Sequence, residues 1–526
     1  MMRSFTPARC GRRMLCLAWL LTLLVRPGQA QPVAGGGGPA VLTGRISGPG
    51  PVADSVAVSL RNNPLDPREK LLWTRVDARG RFRVVVPVSG ATRAELVYGD
   101  DAVPLFLDPG TDLDVRFRGH DLSGTVRFRA NDVPTGLVTK LHSGSNLTEA
   151  QRHRQQAANA NNYLAEFDAQ FVENEGFQVL PDNIQLYEAS LLSLLEYRRK
   201  HEFEFLEDHA ARHSFTQEFY HYARAEVVYA YANDRLAFQD LREQVVNTEG
   251  RLQMTPDYYH FLRAPGLLND PNAGLSELYH EFLRNYVHFA VTQDKHLRTD
   301  PDFYPASYAL ARKKLSGPSR AIVLGRILQE SFRFGHVGQA AALLADFRSY
   351  DPQNEYYPTL LADFNQHREF AIGAPAPDFS LPTATGDTVR LRDFAGKLVY
   401  LNFWKSSNGL CLRDWPYAQE LMRVLEGKNV VFVNIALDDQ EQAWRQLVAA
   451  NKLPGVHLWL AGGLRSALAR AYALQDAPAY LLIAEDGTFL NTRAKRLSSH
   501  AAAGEINQSF GKAATYVLPE LAVTKR

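Results

Sequence analysis

The hydrophobic pattern of this 526-residue chain changes its period twice, and each period restricts the secondary structure its stretch can form. From residue 41 to about residue 130, apolar and polar residues alternate. Phe82 and Val84 alternate with arginines, and Leu113 and Val115 alternate with charged neighbours. Alternation bounded by Gly, Pro and Asp is typical of half-buried antiparallel strands. We therefore predict a small antiparallel β-sandwich or barrel of about six to eight strands.

A helical period replaces the alternation between residue 148 and about residue 370. Thr148 with Gln151, and Ser214 with Gln217, have the spacing of capping boxes, in which two side chains bond the free backbone groups at a helix start. Aromatic residues recur at intervals of four, as on one face of a helix. The stretch predicts an all-α region of about eight to ten helices.

Strand-like and helix-like stretches alternate between residue 371 and about residue 515. A helix is predicted at 444–450. This order predicts a central mixed sheet covered by helices. The predicted strands are 398–403, 430–436, 456–460 and 479–483.

The first thirty residues have the features of a secretory signal peptide. Four arginines precede an apolar run at 14–25, and small residues end the segment at Ala30. The run is shorter than the ~20 residues that span a bilayer, and no later stretch is long and apolar enough to do so. We predict an exported protein with no integral membrane segment in the mature chain; an uncleaved anchor is the alternative.

The number of cysteines restricts the redox chemistry of the chain. Of its three cysteines, Cys10 and Cys16 lie within the predicted signal peptide, so only Cys411 would remain after cleavage. One cysteine excludes an intrachain disulfide. In an oxidising compartment such a thiol is either buried or available for intermolecular chemistry.

Composition and spacing give little support to other classes of function. A net charge of +1 provides no field that would gather nucleic acid or anionic lipid. His209 and His213 are four residues apart, as metal ligands on a helix can be, but no third ligand is evident. We predict no nucleic-acid partner, no metal and no cofactor.

Five short motifs follow one another in the C-terminal region: Gly373-x-Pro375, the segment 391–397, Asp414-Trp415-Pro416, Ala477-Pro478 and Ala494-x-Arg496. TlpA/ResA-type redoxin domains carry such motifs in the same order, so this region resembles exported thiol-disulfide oxidoreductases of the Bacteroidota type. The resemblance implies a thioredoxin fold, a periplasmic location, a part in cell redox homeostasis and a cis-proline at Pro478 facing the active-site helix.

The resemblance also shows a degenerate active site. The family carries Trp-Cys-x-x-Cys, and the corresponding residues here begin with Ser407 and Asn408, continue through Gly409 and Leu410, and end at Cys411. Disulfide reduction needs one thiolate to attack and a second thiol to resolve the mixed disulfide. Asparagine cannot attack, although its side chain can cap a helix. We therefore expect the dithiol reductase activity to be lost.

Two hypotheses remain for the function. In the first, the protein acts in binding or structure in the cell envelope, with envelope proteins or peptides as partners, and Cys411 is a core residue. In the second, Cys411 alone carries thiol-disulfide exchange or, less favoured, peroxidase chemistry, with Pro478 and Asp414 completing the site. An unperturbed thiol would be only about 3% thiolate at pH 7. The exposure and pKa of Cys411 distinguish the two.

Together these patterns predict a multidomain protein: an N-terminal antiparallel β-sandwich, a central all-α region and a C-terminal α/β thioredoxin fold. The predicted segments are a signal peptide at 1–30, a linker at 31–39, the β-sandwich domain at 40–135, the helical domain at 136–370, the thioredoxin-like domain at 371–515 and a tail at 516–526.

Overall fold

The structure is a computed structural model. It describes residues 38–48, 53–61, 63–133, 147–174, 183–245, 253–293, 300, 302–368, 370–438 and 440–512. The predicted signal peptide, almost all of the predicted linker and the predicted tail lie outside the described residues.

Two four-stranded sheets form the N-terminal part of the described chain. Their strand orders are β4-β1-β7-β8 and β3-β2-β5-β6. Buried side chains of both sheets meet in one core, with Leu42 and Val84 from the first sheet and Val58 and Leu96 from the second. The elements are β1 Ala40–Ser47, β2 Ser55–Leu60, β3 Lys70–Arg75, β4 Arg81–Val86, β5 Thr92–Tyr98, β6 Asp101–Leu107, β7 Asp112–Arg118, α1 Leu122–Thr125 and β8 Arg127–Ala130.

The prediction of wholly antiparallel pairing is wrong for one pair of strands. β1 and β7 run parallel, from Val41 opposite Asp112 to Ser47 opposite Arg118, whereas the other pairs in these two sheets are antiparallel. Between β1 and β7 the chain forms β4 and all four strands of the second sheet. This long connection allows β7 to run in the same direction as β1. Alternation reports which face of a strand is buried, and it carries no information on strand direction.

Eight α-helices lie in the described residues between 147 and 368, within the predicted number. The capping box at Thr148 is confirmed, with both of its hydrogen bonds to Gln151 present. The capping box at Ser214 is wrong: the hydroxyl of Thr216 accepts the hydrogen bond from the Phe219 N–H, at 3.2 Å. The helices are α2 Glu149–Phe167, α3 Glu188–Arg212, α4 Gln217–Val245, α5 Glu277–Gln293, α6 Phe303–Lys314, α7 Gly317–Arg333, α8 Ala340–Phe347 and α9 Tyr357–His367.

A five-stranded mixed sheet in the order β13-β12-β11-β14-β15 forms the centre of the C-terminal part. β11, β12 and β13 are parallel, and β14 and β15 are antiparallel to their neighbours. The predicted mixed sheet is confirmed, with β12 and β14 at the predicted bounds. The elements are β9 Ser380–Pro382, β10 Thr388–Arg390, β11 Leu398–Trp404, α10 Gly409–Val424, β12 Val430–Ala436, α11 Glu441–Asn451, β13 Val456–Trp459, α12 Ala467–Ala471, β14 Ala479–Ile483, β15 Phe489–Asn491 and α13 Ala502–Ser509.

The helical part and the C-terminal part share one continuous hydrophobic core. The rings of Phe370 and Phe489 meet edge to face with centroids 5.0 Å apart. The backbone N–H of Ile372 donates to the carbonyl of Gly335 at 3.0 Å. Packing is therefore continuous across the predicted domain limit at residue 371.

Candidate active site

The candidate site begins where the central strand β11 ends. Every residue of β11 is buried, as expected for a strand covered on both faces. The chain then turns toward α10, and Ser406 fixes the turn by donating from its N–H and its hydroxyl to the Asp438 carboxylate, at 2.9 and 2.7 Å. The start of α10 is thereby held at the edge of the sheet.

Asn408 is the N-cap of α10, as predicted, and it makes a second contact that the sequence does not reveal. Its Oδ1 accepts from the Leu410 N–H at 2.8 Å, so one free N–H of the helix start is satisfied. Its Nδ2 donates to the carbonyl of Ala477 at 2.7 Å. The peptide bond between Ala477 and Pro478 is cis. Asn408 thus joins the helix start to the loop before β14, and Gly409 follows it as the first residue of α10.

Cys411 faces the interior of the domain and is only 2% exposed. Burial raises the pKa of its thiol, and the negative charge of Asp414 acts in the same direction. A backbone hydrogen bond at Lys405 and the positive charge of Arg496 oppose this effect without reversing it. The thiolate fraction at neutral pH is therefore below that of a free cysteine.

Asp414 lies one turn further along α10 and is also 2% exposed. Both of its carboxylate oxygens accept from the Arg496 guanidinium, from Nε and Nη2 at 3.0 Å each. The Tyr480 hydroxyl donates to Oδ2 at 2.5 Å. Burial, together with the hydrogen bond to Asp414, raises the pKa of Tyr480. The buried carboxylate is thus paired with a cation and a neutral donor, as a charge in the protein interior requires.

Arg496 also connects this ion pair to the start of α10, since its Nη2 donates to the Leu410 carbonyl at 3.3 Å. The sequence indicated Arg496 only as part of a late motif and did not indicate Tyr480. The position of Tyr480 could have indicated it, because this residue lies two residues after the predicted cis-proline, near the start of a predicted strand.

Three buried rings, of Trp404, Trp415 and His457, pack together beside the start of α10. The rings of Trp404 and Trp415 meet edge to face at 5.0 Å, and His457 lies 5.4 Å from Trp415. Burial lowers the pKa of His457. No sequence motif indicated His457, which β13 brings to this position.

The two histidines considered as metal ligands lie outside this site, at the end of α3. His209 Nε2 is 3.2 Å from the Glu166 carboxylate, and the rings of His209 and His213 are 6.1 Å apart. Among the residues that the structure describes, no group of three or more His, Cys, Asp or Glu side chains could hold a metal ion.

Known proteins resemble this chain in its C-terminal part. Residues 372–492 match the AhpC/TSA family. The thiol-disulfide oxidoreductase ResA of Bacillus cereus is 29% identical over 124 residues, which are 24% of this chain and 70% of that protein. ResA of Geobacillus kaustophilus is 38% identical over 74 residues, or 14% of this chain and 42% of that protein. The family match contains four of the five motifs, and Ala494-x-Arg496 follows it in the chain. Residues 372–492 are therefore similar to a redoxin domain of the TlpA/ResA type, and we call this part of the chain the redoxin domain.

A solved structure also resembles the redoxin domain. The thiol-disulfide oxidoreductase from Bacteroides fragilis is 26% identical, and the match covers 26% of this chain and 98% of that chain, with a TM-score of 0.23. In the part of the chain that the structure describes, no helix is long and apolar enough to cross a membrane.

Proposed function

We propose that this protein is an exported member of the thiol-disulfide oxidoreductase lineage that has lost dithiol reductase activity and acts in binding or structure in the cell envelope. The observation that carries the proposal is the position of Asn408. It occupies the start of the helix, where the family has its attacking thiol, and its side chain is committed to two hydrogen bonds.

The surroundings of Cys411 support the same proposal. Exchange requires a thiolate that can reach a disulfide in line. Cys411 is buried, its pKa is raised, and it is the one free cysteine of the described residues. A resolving thiol would have to come from another molecule. These features support a packing role for Cys411 over a single-cysteine enzyme.

The finer organisation is part of the proposal. We infer a cleaved signal peptide at 1–30, a linker at 31–39, and domains at 40–135, 136–370 and 371–515. The first of these would be a β-sandwich, supported by the two sheets around one core. A periplasmic location is supported by the resemblance to ResA and by the apolar segment at 14–25.

Dithiothreitol-driven reduction of insulin tests the proposal. We expect the wild-type protein to be inactive, and Asn408→Cys to gain activity because it restores both thiols. Asn408→Ser is the matched control, since serine also caps a helix but supplies no thiol. Wild-type activity that disappears in Cys411→Ser would contradict the proposal and establish a single-cysteine enzyme.

Alkylation of the native protein provides a second readout that does not depend on a substrate. We expect iodoacetamide to modify Cys411 at least about a hundredfold more slowly in the folded protein than in 6 M guanidinium chloride, because the thiol is both buried and protonated. Equal rates in the two states would show that the thiol is accessible and would contradict the packing role proposed for Cys411.

A further inference from the structure

The outer face of the first N-terminal sheet carries a row of four arginines, one from each strand. Arg45 of β1 lies opposite Arg81 of β4 on one side and opposite Arg116 of β7 on the other. Arg116 in turn lies opposite Arg127 of β8. All four are exposed and each has a buried neighbour in the chain, so all four point away from the core. Because neighbouring strands are about 4.8 Å apart, the row is about 14 Å long.

A second row runs beside the first and adds two more arginines. Arg83 of β4 lies opposite Thr43 of β1, which lies opposite Asp114 of β7, and Asp114 lies opposite Arg129 of β8. Both arginines are exposed. We call the six arginines of the two rows the arginine face. Its members are Arg45, Arg81, Arg83, Arg116, Arg127 and Arg129.

The packing of like charges in the first row is unfavourable for the sheet. Arginines directly opposite one another on paired strands repel, and the row contains three such contacts in succession. Two carboxylates relieve part of the repulsion: Asp77 pairs with Arg81 at 2.8 Å, and Asp114 pairs with Arg116 at 2.7 Å. The side chains of Arg81 and Arg116 are 59% and 60% exposed, and ion pairs at the surface contribute little. The face therefore stays positive.

The other four arginines of the face have no carboxylate of their own. Arg127 Nη1 donates to the Val126 carbonyl at 2.7 Å. The pKa of Glu166 is lowered first by its hydrogen bond to His209 and in smaller part by the charge of Arg127, so this carboxylate already has a partner. The remaining three form no ion pair within the part of the chain that the structure describes, and their guanidinium groups are open to an anion. They are Arg45, Arg83 and Arg129.

An open concavity of about 430 Å³ lies on the arginine face. Its lining includes Arg45, Arg81 and Arg116, together with Thr43 and Asp114. Guanidinium groups bind carboxylates through two parallel N–H···O bonds. The Thr43 and Asp114 side chains have oxygen acceptors that can bind hydroxyl groups. The lining therefore suits a molecule that carries carboxylates and hydroxyls together.

We propose that the arginine face binds an acidic polysaccharide whose sugar units carry carboxylates. Such a chain offers both kinds of group, and in an extended form it can follow the row of arginines across the strands. A single-stranded nucleic acid is a poorer match, because the two rows contain no aromatic ring on which a base could stack. An anionic membrane surface is also a poorer match, because the two rows contain no large apolar side chain that could enter a bilayer.

The overall charge of the protein does not account for such binding. With a net charge of +1 the whole chain has no general attraction for polyanions, so the local surface has to supply it. No run of basic residues marks this surface in the sequence, because each strand contributes only one or two of the arginines. The inference goes beyond the proposed function, since it concerns the N-terminal sheets and holds whether or not Cys411 reacts.

Fluorescence anisotropy of a fluorescein-labelled oligogalacturonate tests the proposal on the purified full-length protein at low ionic strength. We expect Arg45→Gln to raise the dissociation constant at least about tenfold, because it removes an unpaired cation from within the row. Arg413→Gln is the matched control: it removes the same charge from an exposed position on α10, and its dissociation constant should stay within twofold of wild type. Absence of binding by wild type, or equal effects of the two variants, would overturn the proposal.

Competition separates the polysaccharide from other polyanions. Unlabelled oligogalacturonate should displace the labelled probe at least about tenfold more effectively than a single-stranded oligodeoxynucleotide of the same charge or phosphatidylglycerol vesicles. Neutral dextran should not displace it. Equal displacement by the oligonucleotide or by the vesicles would contradict recognition of an acidic polysaccharide.

The variant Arg45→Lys separates recognition of a carboxylate from attraction to charge alone. Lysine keeps the positive charge but lacks the planar fork that binds a carboxylate at two points. We expect Arg45→Lys to recover less than half of the loss in log Kd that Arg45→Gln shows. Complete recovery would exclude the two-point contact.

Stability measurements separate a binding role of the row from a structural one. Arg45→Gln removes repulsion between opposite arginines, so its midpoint in urea should be at least that of wild type. Circular dichroism before denaturation checks that the variant is folded. A clearly lower midpoint would show that Arg45 stabilises the sheet, and weaker binding by the variant would then not support the proposal.

Discussion

Asn408 and Asp414 are polar side chains at the start and in the first half of α10, and they are stabilised in different ways. Asn408, at the start of α10, is half-buried and neutral, and it makes one hydrogen bond to the helix and one to the Ala477 loop. Asp414, six residues later, is buried and paired with Arg496. In the proposed function the first position lacks the attacking thiol of the family, whereas the second position carries a buried ion pair. Both side chains therefore stabilise α10, one as a neutral cap at its start and the other as half of a buried ion pair.

The largest effect should come from breaking the ion pair. Arg496→Met leaves the Asp414 carboxylate buried without a cation, which we expect to lower the free energy of unfolding by about 3 kcal/mol. We choose the lower end of the usual range because the Arg496 side chain is 41% exposed. Urea denaturation measures the change. The double variant Asp414→Asn with Arg496→Met should lose less than the single variant; an equal or larger loss would show that the pair is not what stabilises the helix.

A smaller loss is expected when Asn408 is truncated. Asn408→Ala removes both hydrogen bonds, so the free energy of unfolding should fall by about 2 kcal/mol. Asn408→Ser retains a capping oxygen but is too short to reach the Ala477 carbonyl, so it should lose about half as much. If both variants are as stable as wild type in urea, the asparagine holds neither the helix start nor the loop.

Removal of the Tyr480 hydroxyl measures what the neutral hydrogen-bond donor of Asp414 contributes to stability, apart from the charged donor Arg496. Tyr480→Phe should lower the free energy of unfolding by about 1.5 kcal/mol, because a hydrogen bond to a buried charge is lost while the ring still packs. The same urea series measures it. A loss as large as that of Arg496→Met would mean that the hydroxyl and the guanidinium contribute equally.

The smallest effect should be a pH dependence. Burial raises the pKa of Cys411 in the folded state. The resulting stability is fully present below the pKa of the unfolded thiol, about 8.5, and is lost as pH rises through the folded pKa. Between pH 8 and 10 wild type should therefore lose more stability than Cys411→Ala, by up to about 1 kcal/mol. Parallel curves would indicate that the thiol does not change its pKa on folding.

The sequence predicts those parts of this molecule that depend on local pattern. Strand β12 and the N-cap role of Asn408 both follow from a few neighbouring residues, and both are confirmed. The parallel pairing of β1 with β7 could not be predicted, because alternation has no direction. The Thr216 cap was missed because two candidate hydroxyl residues, Ser214 and Thr216, lie within three positions of the helix start at Gln217.

The site shows the same division. The motifs placed Asn408, Cys411, Asp414 and Pro478 in one region, but they did not show which groups bond to each other. Arg496 is 82 residues from Asp414 in the chain, and only the folded sheet brings the two into contact. A residue's identity can be compared with a motif, whereas its partner across the fold depends on the whole topology.

The two hydrogen bonds of Asn408 bear on how such a protein can evolve. Under the proposed function, a cysteine at position 408 would supply a nucleophile and at the same time remove both the cap and the hydrogen bond to the loop. Such a variant would meet selection against lower stability before any new reactivity could be useful. Under the same proposal, loss of the thiol is easier to acquire than to reverse, and a lineage that carries this asparagine is expected to keep it.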